Sequence, residues 1–124
     1  MDKIFVKDLL VRGIIGINPE ERIKLQDILI NMILYADTRD AARTDDIDKA
    51  VNYKSITKRI IEHVETSSDY LVEKLVNDIA EIVLTEFDGV ERVQVRVEKP
   101  GALRFARSVG IEIERTAADF TDAE

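Results

Sequence analysis

"QDILINMILYA", residues 26–36, is the stretch on which the fold turns. Ile28, Ile30, Met32 and Leu34 fall on one side of an extended chain, because successive side chains of a strand point to opposite faces. Leu29, Ile33 and Tyr35 make the other side apolar as well. A strand apolar on both faces needs cover on both. Helices on one side and another subunit, or more protein, on the other meet that need. The segment therefore predicts obligate oligomerisation.

Upstream, residues 3–15 are rich in Ile, Phe, Val and Leu and read as a first strand ending at Gly13 and Gly16. "GINPEER", 16–22, is turn chemistry, and Pro19 has no place in a central ladder. Downstream, residues 37–52 read as a polar connector with one short helical turn. Its acids, Asp45, Asp46 and Asp48, suit a helix start. From Tyr53 the spacing is helical: Ile56, Ile60, Ile61 and Val64 form a stripe ending near His63–Thr66. Ser67, Ser68 and Asp69 are side chains able to cap a following helix. A second stripe runs through Leu71, Val72, Leu75, Ile79, Ile82, Val83 and Phe87, and Asp88-Gly89 stops it. Strands follow at about 90–98 and 109–115. The order is β-β-α-α-β-β, an α+β arrangement with two helices on one face of a four-stranded antiparallel sheet. One domain is expected over 1–116, with an acidic, frayed tail at 117–124.

Composition narrows the function. A chain of 124 residues suits one domain. A net charge of −7 argues against a general nucleic-acid binder, which needs a basic face. With no cysteine there is no disulfide framework, thiolate nucleophile or zinc ribbon. No signal-peptide pattern opens the sequence and no apolar run approaches the roughly 20 residues of a membrane span. A soluble, cytoplasmic protein is expected. His63 is the only histidine, which removes multi-histidine metal sites and histidine relays; its ordinary place is the edge of the core or the surface. Phosphate-binding loops and nucleophile elbows are missing too.

What remains is a scattered set: Glu21, Tyr53, Glu73 and Lys99. Each has an ordinary alternative. Glu21 reads as a loop acid beside Arg22, Tyr53 as a helix-entry aromatic, Glu73 as a stripe-border acid, and Lys99 as a solubilising strand-end charge. "VEKPGALRFARSVG", 97–110, gathers Lys99, Arg104 and Arg107 in an otherwise acidic chain. Composition and spacing alone lead to an oligomeric α+β domain and no further.

Five segments in register change that. "IGINPEER", "LQDILINM", "DDIDKAVNY", "YLVEKLVNDIAEIVL" and "VEKPGALRFARSVGIEIER" resemble the family of dihydroneopterin aldolase and dihydroneopterin triphosphate epimerase, over about residues 3–115. The resemblance implies the tunnelling fold, with the same element order, assembling as tetramers that stack into octamers. It places active sites between neighbouring subunits. It implies that Glu73 anchors a pterin through the 2-amino group and N3–H, with main-chain groups at Leu71 and Val72 completing the ring edge. Tyr53 then reaches the pterin and serves in protonation, Glu21 lies near the substrate side chain with Gln26 beside it, and Lys99 organises proton transfer through water.

The reaction implied is cleavage of the C1′–C2′ bond of 7,8-dihydroneopterin, giving glycolaldehyde and 6-hydroxymethyl-7,8-dihydropterin. The substrate's own N5=C6 imine accepts the electrons, so no metal or cofactor is expected and general acid–base work suffices. "LQDILIN" and "ALRFARSV" lean toward the triphosphate 2′-epimerase, with Arg104 and Arg107 as phosphate or subunit contacts, whereas "EKPGA" leans toward the aldolase. A non-catalytic pterin or purine binder of the same fold is the third alternative.

Overall fold

The computed structural model describes residues 1–121. Four antiparallel strands, β1 (Asp2–Gly13), β2 (Gln26–Ala36), β3 (Arg92–Pro100) and β4 (Ser108–Thr116), lie in the sheet in chain order. Between β2 and β3 come α1 (Arg39–Thr44), α2 (Tyr53–Thr66) and α3 (Val72–Glu86). The long helices α2 and α3 share one face of the sheet, α2 over β1 and α3 over β3 and β4.

The helix-facing side is closed by the residues whose alternation named the strands. Ile28, Ile30, Met32 and Leu34 of β2 and Val93, Val95 and Val97 of β3 are buried against Ile56, Ile60 and Val64 of α2 and Leu75, Val76, Ile79 and Val83 of α3. Burying each such side chain contributes about 1.5–3 kcal/mol. On β1 the inward parity changes between Val6, opposite Met32, and Leu9, opposite Ile30. A bulge at Lys7-Asp8 absorbs the extra residue. Asp8 takes φ 56° there, and its amide donates to Asn31 Oδ1 at 2.8 Å. Both apolar runs of β1 thereby stay on the helix side.

The opposite face is divided. Toward β1 it is apolar: Phe5 lies opposite Ile33 and Leu10 opposite Leu29. Toward β4 it is ionic, with Arg92 3.5 Å from Glu114 and Arg96 3.7 Å from Glu112. Tyr35 stands at the boundary under the Arg92 guanidinium, 4.4 Å from its ring. Only part of the second face carries the apolar character that β2 alone suggested.

Four expectations are corrected. The connector holds α1 and a 3-10 turn at Ile47–Lys49. Ser67 caps the end of α2, its hydroxyl donating to the Val64 carbonyl, and no side chain caps the start of α3. Leu71 is the N-cap of α3 and is 52% exposed, because the helix begins only at Val72; it is outside the buried stripe. The segment Ala117–Phe120 is a 3-10 turn, not a frayed end. Asp119 accepts from the Thr116 amide at 2.8 Å, and Phe120 packs against the core. Residues 122–124 of that tail lie outside the described residues.

Candidate active site

Glu21 and Lys99 come together from opposite ends of the chain. Lys99 Nζ lies 2.7 Å from Glu21 Oε2, and the two side chains are 13% and 17% exposed. Lys99 reaches this place because β3 continues through it to Pro100, with Lys99 on the same side of the sheet as Val95 and Val97. Glu21 is carried by the 3-10 turn Pro19–Arg22, whose proline fixes the entry geometry. The Asn18 amide donates to Glu21 Oε1 at 3.2 Å, and Gln26 Nε2 to Glu21 Oε2 at 3.2 Å. Gln26 Nε2 also donates to the Ile15 carbonyl. The Glu21 carboxyl is held below the usual glutamate range, first by the hydrogen bond from Lys99, against the opposing effect of burial, and further by the Asn18 amide and Gln26.

Gly16 makes room for this carboxylate. Its φ is +123°, and an added Cβ would lie 2.2–2.4 Å from the Glu21 carboxyl atoms. A side chain at position 16 would meet both a disfavoured backbone and an occupied space. The sequence marks Gly16 as a turn residue; its role as the wall behind Glu21 becomes visible only once the loop is folded.

The loop holding Glu21 is joined to the segment between α2 and α3. The Gly16 amide donates to the Asp69 carbonyl at 3.2 Å. Arg22 Nη1 donates to the carbonyls of Gly16, at 2.9 Å, and Asp69, at 3.0 Å; its Nη2 donates to Ser68. Its guanidinium lies 3.9 Å from the centroid of the Tyr70 ring. Sequence reasoning assigned Arg22 and Tyr70 nothing, since partners 46 and 47 positions away leave no local signal.

Beyond this junction, Leu71, Val72 and Glu73 form the start of α3. Glu73 is exposed in the first turn, where a carboxylate is favoured by the helix dipole. The Leu71 carbonyl already accepts from the Leu75 amide, so what this helix start offers a ligand is first-turn N–H groups and the Glu73 carboxylate. Ser68, Asp69, Tyr70, Leu71 and Lys74 line an adjacent depression of about 370 Å³.

The remaining candidates stand elsewhere. Tyr53 opens α2 and is 59% exposed. The 14 residues of α2 span about 20 Å, and the Gly16–Asp69 junction lies beyond the other end. Within one chain Tyr53 does not join Glu21 and Lys99. Arg104 and Arg107 lie in the exposed 101–107 loop after Lys99, closed by a bond from the Gly101 amide to the Arg107 carbonyl at 2.9 Å. Arg104 sits 5.3 Å from the ring of Phe105, itself 93% exposed, and neither arginine has a carboxylate partner among the described residues. His63 is half-buried on α2, its Nε2 3.9 Å from Asp78; Lys74 Nζ, 2.6 Å from the same carboxylate, already supplies a cation there.

Two long helices over one face of a four-stranded antiparallel sheet, in this element order, define a tunnelling-fold domain, with an acid–lysine pair at the edge of its loops. The chain belongs to the dihydroneopterin aldolase (FolB) family, whose pattern matches residues 4–114. It is 44% identical over 113 residues to the dihydroneopterin triphosphate 2′-epimerase of Pseudomonas aeruginosa, covering 91% of each chain. It is 43% identical over 116 residues to the folic acid synthesis protein FOL1 of Dictyostelium discoideum; that match takes in 94% of this chain but only 18% of the much longer relative. The crystal structure of Escherichia coli dihydroneopterin aldolase in complex with neopterin superposes with a TM-score of 0.89, at 33% identity, over 93% of this chain and 99% of that one. No helix among the described residues is long and apolar enough to cross a membrane.

Proposed function

We propose that the chain is a 7,8-dihydroneopterin aldolase, an aldehyde-lyase, acting by general acid–base catalysis at a site completed by a neighbouring subunit. The observation that carries this reading is the Glu21–Lys99 pair, 2.7 Å apart and largely screened from water at the loop edge. The separation of Tyr53 from that pair by the length of α2 supports a site that draws Tyr53 from a second copy.

In this reading Glu73 accepts the 2-amino group and N3–H of the pterin, and the N–H groups at Leu71 and Val72 meet the ring edge. Lys99, with Glu21 ionised beside it, organises a water that takes the proton of the 2′-hydroxyl. The C2′ oxygen then forms a carbonyl, the C1′–C2′ bond breaks, and its electron pair passes through C6 to N5. Glycolaldehyde leaves. A proton returned to C1′, with Tyr53 as the donor side chain, gives 6-hydroxymethyl-7,8-dihydropterin. Each proton step is work for a positioned acid or base, contributing on the order of 10²–10⁴-fold. Re-addition of the aldehyde to the other face would invert C2′, so epimerisation accompanies cleavage.

A second reading, the triphosphate 2′-epimerase, is favoured by the two arginines in the loop after Lys99, which have no carboxylate partner among the described residues. Guanidinium groups suit a phosphorylated side chain. Incubation of the protein with 7,8-dihydroneopterin, and separately with its triphosphate, decides between the two. Hydroxymethyl-dihydropterin and glycolaldehyde from the free triol are expected. A C2′ epimer formed from the triphosphate without cleavage would overturn the aldolase in favour of the epimerase. Neopterin binding without product from either would leave a binding protein.

A further inference from the structure

Arg22 takes no part in the chemistry above, yet its guanidinium joins two separate segments beside the site. It sits immediately after Glu21 in a four-residue 3-10 turn that has no buried residue of its own. That turn's backbone is closed by the Glu21 amide on the Asn18 carbonyl at 2.9 Å. Anchorage has to come from outside. The Arg22 guanidinium provides it by donating to the Gly16 carbonyl within its own loop and to the Ser68 and Asp69 carbonyls across the gap. Stacking on Tyr70 at 3.9 Å fixes the plane of the fork. No carboxylate pairs with Arg22 among the described residues, so its charge is directed at main-chain dipoles and a ring face.

The two segments so joined differ in stiffness. Glu73 stands on the 15-residue α3, pinned to the core by Leu75, Val76 and Ile79. Glu21 stands on a turn that the core does not hold. Loss of the Arg22 bridge leaves the Glu21 loop joined to that segment by the single Gly16–Asp69 main-chain bond, and so loosens the Glu21 side while the Glu73 side stays in place. Resting on the aldolase reading, we propose that Arg22 is the positioning residue of this site: it holds the Glu21 carboxylate against Lys99, at a fixed offset from Glu73, without touching substrate.

The test uses the full chain with Arg22→Ala and Arg22→Lys. For Arg22→Ala, kcat for dihydroneopterin cleavage is expected to fall at least about 10-fold, as small misplacements of catalytic groups do, while the Kd for neopterin changes less than about threefold. Arg22→Lys recovers part of the lost kcat, because an ammonium reaches some of the carbonyls without the planar fork. The Glu21 carboxyl, followed by NMR titration, moves upward toward the usual glutamate range in Arg22→Ala and less so in Arg22→Lys. An unchanged kcat with an unmoved Glu21 titration would overturn the proposal. So would kcat and neopterin affinity falling together in step with a lower Tm, the mark of a merely structural residue. If Arg22→Ala does not fold, the same two readouts on Arg22→Lys decide. If the wild-type protein cleaves neither substrate, the aldolase reading fails on its own. The Glu21 titration then still decides for or against Arg22 as the residue that holds that carboxylate.

Discussion

Beyond the C-terminal end of α2, Gln26 and Lys99 each donate to Glu21 within a single chain, and Arg22 ties the Glu21 loop to the segment between α2 and α3. At its N-terminal end Tyr53 is exposed and stands apart from all of them. The first region is pre-organised by folding: its loop is held by hydrogen bonds to main-chain carbonyls, and its acid is kept below the usual glutamate range by the lysine beside it. The second is only presented. Where a side chain is already held, a substitution disturbs both the fold and the chemistry; where it is only presented, the chemistry alone should respond. That contrast can be broken experimentally.

The largest effect is expected at the held end. Lys99→Ala should lower cleavage by about 10³-fold or more, the scale of a lost acid–base group, while neopterin binding persists through Glu73. Product formation and fluorescence titration with neopterin measure the two quantities, and retained turnover would remove Lys99 from the mechanism. Tyr53→Phe should lower cleavage by about 10²-fold and leave unfolding free energy within about 0.5 kcal/mol of wild type, as for other exposed substitutions. A destabilised Tyr53→Phe would mean that the presented end is also part of the fold.

Gly16→Ala comes next. The added methyl collides with the Glu21 carboxyl at a φ of +123°, so a loss of about 1–3 kcal/mol in urea unfolding is expected, together with reduced turnover. Wild-type stability in Gly16→Ala would show that the loop relaxes freely and that Glu21 is less fixed than its contacts imply. The smallest effect concerns pH. The folded Glu21 carboxyl is lowered by Lys99, so the pair's contribution is present above the unfolded glutamate pKa and is lost as pH falls through the folded one. Glu21→Gln should therefore flatten the acid side of the stability–pH profile. Urea melts across that range check it.

Much of the fold was legible because burial imposes a period. Ile56, Ile60 and Val64 recur at helical spacing, and Ile28, Ile30, Met32 and Leu34 at strand spacing, and each set closes one face of the core. Errors fell where local pattern and three-dimensional context part. Leu71 matches the helical stripe yet precedes the helix, and the acidic run after Thr116 hides Phe120, whose packing onto the core fixes a turn. The bulge at Asp8 also escaped, since a parity change in β1 is ambiguous until Asn31 is seen to support it.

The site divides in the same way. Glu21, Gln26, Tyr53, Glu73 and Lys99 could be singled out by resemblance to a family. Nothing local said that Lys99 would meet Glu21, 78 positions away, or that Arg22 would bridge to Ser68 and Asp69. Such meetings depend on strand order and loop path, which are set by the packing of the whole sheet against its helices.

The sequence by itself determined the element order, the helix-facing core and the acidic, cysteine-free character of the chain, because periodicity and composition act locally. The tertiary structure alone decided which charges are paired, which glycine must stay small and which arginine holds the loop. Those contacts join residues far apart along the chain, and only the packed sheet and helices bring them within bonding distance.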